Sequence, residues 1–300
     1  MTDQAIIEHS FQQLEKLLKA ESIKAVNQGY IKNILKSRDP KAHKGCFGHA
    51  LLYAGSPGMA GAAVLSAKGC LRSGVGLLSV CTPQINNDIL QISVPEAMVV
   101  WTDDMYARSE LSRYSAIGAG PGLGTGDSQA ILLDKLLKNA ACPMVLDADA
   151  LNIISQNTYL LDYVPAGSVI TPHPGELARL TGKTENWLQM AERAIQLAQK
   201  KGITVVIKGA PTATVTPDGK AFINTTGNVG MATGGSGDVL TGIVLSMLAQ
   251  GYNAVDAAII AVYIHGLAGD IAADQLSTIA MTSLDILTYL PKAWLNLEKL

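Results

Sequence analysis

Ser168-Val169-Ile170-Thr171-Pro172-His173-Pro174-Gly175-Glu176-Leu177-Ala178-Arg179-Leu180 contains the unit from which the rest of the chain is built. Ser168–Ile170 is a short apolar run rich in β-branched residues, as a buried strand requires. Thr171–Gly175 is a polar turn stiffened by two prolines. From Gly175 to Leu180 the spacing predicts a helix with an acid in its first turn. The same order of strand, polar turn and helix recurs. Further strands are expected over Ala50–Ala54, Gly76–Cys81, Ser115–Ile117, Met144–Leu146 and Thr204–Ile207, with helices over Gly61–Arg72, Ser128–Asn139 and Asn186–Lys200. Apolar strands followed by helices predict a mostly parallel sheet covered on both faces. Thr212–Thr216, the turn Pro217-Asp218-Gly219 and Lys220–Asn224 read as a hairpin that supplies an antiparallel edge.

Composition supports one large α/β domain. Of 300 residues, 48% are hydrophobic and 16% charged, which supplies a core and excludes intrinsic disorder. A net charge of −2 creates no general attraction to nucleic acid or an anionic membrane, so an anionic ligand needs a local device. Cys46, Cys70, Cys81 and Cys142 form no CxxC pair and read as reduced thiols. The acidic, amphipathic N-terminus has no apolar signal core. The apolar stretch Val239–Ala273 is interrupted by Gln250, Asn253, Asp256, His265 and Asp270, which predicts two buried helices and no membrane span. A cytoplasmic protein is expected. Residues 1–40, ending at Asp39-Pro40, read as a charged helical extension, and 41–300 as one domain without repeats or linkers.

In doubly wound sheets ligands sit beyond the carboxyl ends of the strands. Every Gly-rich or polar cluster here falls at such an end. Thr233-Gly234-Gly235-Ser236-Gly237-Asp238 is the most informative, because it leads into the helix Val239–Leu248. Its glycines admit close backbone approach, and a helix start presents unpaired N–H groups and a positive dipole end. Phosphate is the natural guest. Asp238 either caps this helix or serves as a base for a hydroxyl that attacks the phosphate. The flexible residues before it and the polar loop Asn224–Asn228 favour the base.

Other rim residues are less decisive. Glu176 is suited either to hydrated Mg²⁺ or to a helix cap. His173, held between prolines, favours a placed ligand contact. Lys208 suits a phosphate or carboxylate, and Ala210-Pro211-Thr212 forms a ledge for a base or ribose. Asp147 and Asp149 are expected to anchor loops and cap the next helix. The remaining histidines lack zinc spacing. There is no Walker A loop and no Gly-x-Ser-x-Gly elbow, and Pro121 spoils a Rossmann fingerprint in Gly118–Gly122.

Taken in order, several segments resemble the ADP/ATP-dependent NAD(P)H-hydrate dehydratases of the ribokinase-like superfamily. These are His43-Lys44-Gly45, Ala54-Gly55-Ser56, Gly61-Ala62-Ala63, Leu71–Leu77, Pro95–Met98, Gly120–Gly124, Asp147–Asn152, Thr171–Glu176, Lys208-Gly209 and Gly230–Gly242. The resemblance runs from about Arg38 to the C-terminal helices. It implies a three-layer αβα fold, Mg²⁺, ADP or ATP as co-substrate, and a substrate hydrated on the nicotinamide ring (NADHX or NADPHX). Asp238 would be the base. Gly234, Gly235, Ser236 and Gly237 would form the anion hole, and Lys208, Gly209, Ala210, Pro211 and Thr212 would line the adenine nucleotide. Ala62, Gly122, Gly124 and His173 would contact the hydrated dinucleotide, and Glu176 would hold magnesium through water. The family also implies a homo-oligomer, a tetramer. The epimerase domain fused to many relatives is not expected in the 40 N-terminal residues, so a separate epimerase would supply the S epimer. A small-molecule kinase would use the same aspartate but leave a stable phosphoester. A nucleotide sensor would bind without turnover.

Overall fold

In a computed structural model of the protein, the described residues are 3–101 and 108–298, so residues 1–2 of the expected extension and 102–107 and 299–300 of the expected domain lie outside them. The strands are β1 Ile23–Val26, β2 His49–Tyr53, β3 Leu77–Thr82, β4 Met98–Trp101, β5 Ala116–Ala119, β6 Met144–Leu146, β7 Val169–Ile170, β8 Thr204–Ile207, β9 Ala213–Val215 and β10 Ala221–Asn224. They form one sheet in the order β1-β10-β9-β8-β7-β6-β5-β2-β3-β4. β9 runs antiparallel to both β8 and β10, and every other pairing is parallel.

Side-chain alternation builds the three layers. Ala50 and Leu52 of β2 join one buried cluster and Leu51 and Tyr53 the other, as period-two residues of a strand covered on both faces do. The first cluster carries helices α2 Gln28–Ile34, α3 Ala60–Arg72, α4 Asn87–Ser93, α10 Ser236–Ala249, α11 Ala254–Leu276 and α12 Ser283–Glu298. The second carries α1 Asp3–Leu14, α6 Asp127–Asn139, α7 Ala148–Gln156, α8 Pro174–Thr181 and α9 Trp187–Lys201. A short α5, Arg108–Leu111, precedes β5. The expected αβα sandwich with a mostly parallel sheet is present.

Two differences concern the edges. Ile23–Val26 lies inside the expected helical extension, yet it pairs in parallel with β10 and becomes the outermost strand beside the hairpin. Four residues bounded by polar ones carry too little pattern to separate strand from helix. At the opposite edge, β4 likewise lies outside the expected strands. The stretch Val239–Ala273 does form two buried helices. α11 is long and apolar enough to cross a membrane, but 72% of its most apolar window is buried within the protein.

Chain order sets the ligand crevice. From β2 the chain winds outward through β3 and β4, then returns to β5 on the other side of β2 and continues to β8. The switch in strand order thus falls between β2 and β5, and the ligand crevice of such sheets lies at the carboxyl rim there. α10 crosses beneath it packed closely on α3: a Cβ at Gly242 would lie 2.0 Å from the Ser66 carbonyl oxygen.

Candidate active site

β6, β8 and α10 bring three segments of the sequence to one point. Asp147 follows β6 and is buried, with 1% of its side chain exposed. Its Oδ1 accepts a hydrogen bond from Lys208 Nζ at 2.7 Å, and its Oδ2 one from Thr241 Oγ1 at 2.7 Å. Lys208 follows β8, and its main-chain N–H donates to the Pro172 carbonyl at 3.0 Å. Gly237 lies directly above this pair. A Cβ there would be 3.5 Å from Lys208 Nζ and 3.7 Å from Asp147 Oδ2.

The start of α10 is open. Its cap residue is Gly235, at φ +86°, which supplies no side-chain hydrogen bond. That left-handed turn is what a glycine permits without strain. The Ser236 N–H makes a long contact with the Thr233 carbonyl at 3.4 Å, while those of Gly237 and Asp238 meet no acceptor among the described residues. Two such donors at the positive end of a helix form an anion seat. Beside it stands Asp238, whose carboxylate accepts no hydrogen bond among the described residues. Burial raises its pKa to about 7, with the charges of Asp147 and Asp149 adding and that of Lys208 opposing. For Lys208, burial works against the charged form, but Asp147, Glu176 and Asp238 outweigh it and hold the pKa above the ordinary lysine value. The site thus pairs a fixed cation with a carboxylate poised to exchange a proton near neutrality.

A second group of expected residues meets at the crevice. Gly122, at φ +61°, packs against Ala62, whose Cβ would be 2.8 Å from a Cβ at Gly122. The Gly55 N–H donates to the Pro121 carbonyl at 2.8 Å and ties the loops after β2 and β5 together. The Gly124 N–H donates to Asp149 Oδ2 at 2.8 Å. Asp149 is therefore the loop anchor expected of it. Asp147 does not cap α7; its side chain turns to Lys208 and Thr241 instead.

Glu176 and His173 close on each other. The His173 Nδ1 accepts from the Gly175 N–H at 3.0 Å, and Glu176 Oε2 accepts from the His173 N–H at 2.8 Å, a reciprocal capping box at the start of α8. Glu176 also lies 3.7 Å from Lys208 Nζ, which joins this pair to the centre. Gly209 and Ala210 beside Lys208 are exposed, while Pro211 and Thr212 are half-buried. Gly234 faces open space. Ser236 differs from the others: its hydroxyl turns inward to His265 Nε2 at 3.4 Å, so it contributes no side chain to the rim.

Residues 50–292 match the family model described as NAD(P)H-hydrate dehydratase. The chain belongs to that family. It is 37% identical to an ADP-dependent (S)-NAD(P)H-hydrate dehydratase of Bacillus subtilis, covering 90% of this chain and 97% of that one. It is 38% identical to a bifunctional NAD(P)H-hydrate repair enzyme of Moorella thermoacetica, with 88% of this chain covered, and spans about half (52%) of that relative's length. A crystal structure of the B. subtilis ADP/ATP-dependent NAD(P)H-hydrate dehydratase, co-crystallized with ATP/Mg²⁺, superposes with a TM-score of 0.80 at 34% identity, over 91% of this chain and 98% of that one. A ribokinase-like superfamily protein of Enterococcus faecalis gives 0.84 at 30% identity, over 94% and 98%.

Within this dehydratase fold, three residues around the centre escaped the sequence reading as members of the site: Thr241, His265 and the inward-turned Asp147. Thr241 carries a faint signal, one helical turn after Gly237, whose carbonyl its hydroxyl also approaches at 3.2 Å. His265 carries none, because its contact with Ser236 spans 29 residues.

Proposed function

We propose that this chain dehydrates the S epimer of hydrated NADH or NADPH, using ADP or ATP, and so returns damaged cofactor to use. The observation that carries this reading is the half-buried Asp238 carboxylate, unpaired among the described residues, beside Lys208 and two N–H donors that meet no acceptor among them, in a chain of this family. Asp238 takes the proton from the ring hydroxyl, and the hydroxyl oxygen attacks the terminal phosphorus of the nucleotide. That phosphorus leaves its bridging oxygen, giving AMP from ADP or ADP from ATP. The N–H groups of Gly237 and Asp238 and the Lys208 ammonium balance the charge on the transferred group. The ring nitrogen's lone pair then expels phosphate, and loss of a proton from the adjacent ring carbon restores the dihydropyridine.

The residues of the rim support a place for each substrate. The nucleotide's phosphates belong at the start of α10, with the ledge from Lys208 through Gly209, Ala210, Pro211 and Thr212 beside its base and ribose. The hydrated dinucleotide belongs in the crevice lined by Ala62, Gly122 and Gly124, with His173 at its margin. Among the described residues no three ligating side chains converge to cage an ion. Mg²⁺ needs no such cage, since it keeps its waters and is held by one or two carboxylates together with substrate phosphates. The rim's carboxylate oxygens fit that role, and Glu176 would meet the ion through water. Bound there, Mg²⁺ would offset phosphate charge.

The deciding assay follows absorbance of the restored dihydropyridine from hydrated NADH, with ADP and with ATP separately. Recovery of absorbance with one equivalent of free phosphate supports the reading. A stable phosphorylated product would make the chain a small-molecule kinase instead.

A further inference from the structure

The mechanism above leaves one buried titratable side chain unused. His265 lies in the middle of α11, 8% exposed, on a helix otherwise rich in Ala, Ile and Val. A buried imidazole is costly unless it is hydrogen-bonded, and an apolar residue of similar size would pack at least as well. Among the described residues its hydrogen-bonding partner is Ser236, the first residue of α10. Burial lowers its pKa to about 4, a main-chain hydrogen bond with Ser236 opposes this, and the Lys208 charge adds to the lowering. The ring is therefore neutral and close to the cation of the site.

Its surroundings show what it braces. The entry to α10 is crowded on two other sides: a Cβ at Gly235 would lie 2.3 Å from Leu65 Cδ1 of α3 and 2.9 Å from Ser283 Oγ of α12. His265 supplies the third side. The same helix also holds the polar loop before α10, for Asp270 accepts from the Gly227 N–H at 2.9 Å and from Asn228 Nδ2 at 3.0 Å. Thr226 Oγ1 donates to the Tyr263 carbonyl at 2.8 Å. α11 thus anchors both the loop and the helix start that follows it.

We infer that His265 is a positioning residue for the nucleotide: through Ser236 it fixes the first turn of α10, so that the N–H groups of Gly237 and Asp238 stay aimed at the phosphates. This inference rests on reading the start of α10 as the phosphate seat. A helix start that could rotate or fray would still bind the dinucleotide in its own crevice but would hold ADP poorly.

The test uses the full chain with His265→Leu, His265→Gln, Ser236→Ala and the Ser236→Ala/His265→Leu double variant. Calorimetric titration with ADP, which needs no turnover, is combined with steady-state kinetics on hydrated NADH. His265→Leu is expected to weaken ADP binding and raise its KM roughly tenfold, while the KM for hydrated NADH changes little. His265→Gln, which keeps a hydrogen-bonding side chain, should recover most of the loss. The double variant should be no worse than the more damaging single one, because both remove the same contact. Ser236→Ala keeps the question decidable if His265→Leu fails to fold. Unchanged ADP affinity in Ser236→Ala and in folded His265→Leu, or additive losses in the double variant, would overturn the inference while leaving the proposed reaction standing. Weakened ADP binding without any turnover by the wild type would uphold the inference and remove the reaction. A wild type that binds no ADP removes both.

Discussion

Helices α8 and α10 both start at the carboxyl rim of the sheet, and each carries an acid at its third residue, Glu176 in one and Asp238 in the other. Their surroundings give the two acids opposite work. At α8 the cap is His173, whose ring accepts the helix's free N–H groups while Glu176 accepts the N–H of His173. Donors and acid are both engaged by His173, and the result is a capped helix end. At α10 the cap is a glycine with no side chain to offer. The donors stay open, the acid stays unpaired, and burial beside Asp147 pushes its pKa to about 7. A helix start keeps its donors and its acid open to a ligand when its own capping chemistry is withheld.

The largest effect should come from Asp238→Asn, which removes the proposed base and leaves the helix start intact. Turnover of hydrated NADH is expected to fall about 10²-fold or more, with ADP binding retained. The carboxyl titrates above a free aspartate's pKa of about 3.9, so protonation favours the folded chain. Its contribution to stability is fully present below about 4 and is lost as pH rises through about 7. Thermal melts should therefore show Asp238→Asn gaining on the wild type across that window, and kcat of the wild type should fall on its acid side. A variant as active as the wild type would end the distinction between the two helix starts.

Lys208→Met should follow, because it strands the buried Asp147 carboxylate. Urea unfolding is expected to show a loss of about 3 kcal/mol, together with weakened ADP binding. Gly235→Ala puts a side chain at φ +86°, which costs about 1–2 kcal/mol, and crowds Leu65 and Ser283. It should lower stability in the same unfolding measurement and weaken ADP binding as the turn shifts.

The smallest changes belong to α8 and test it most finely. Glu176→Ala breaks the capping box and should cost about 1 kcal/mol in thermal or urea unfolding. Glu176→Gln keeps an acceptor for the His173 N–H and should cost less, losing only the charge beside Lys208. If Glu176 also meets Mg²⁺ through water, the Gln variant should need more Mg²⁺ for half-maximal turnover. An unchanged Mg²⁺ requirement would leave Glu176 a cap alone.

Much of this was legible in the order of residues. Apolar runs with β-branched content, polar turns and helical spacing are local signals, so Met144–Leu146 and Thr204–Ile207 coincide with β6 and β8, and most helix limits fall within a residue or two. The ends of strands could be read as one rim for the same reason, and with them Asp238, Lys208 and Gly237. Short edge strands such as β1 left too few residues for a period to show.

The flanking glycines and the Asn224–Asn228 loop favoured an open acid at Asp238, but the spacing of Pro174-Gly175-Glu176 and Ser236-Gly237-Asp238 is alike and could not show which acid is left unpaired. That choice was made by partners remote in the chain. Asp147 lies 61 residues from Lys208 and 94 from Thr241, and Ser236 lies 29 from His265. Burial and charge act through space at a few ångströms, whereas sequence pattern reports only neighbours along the backbone. The protonation of Asp238 and the bracing of α10 therefore exist only once the layers have packed.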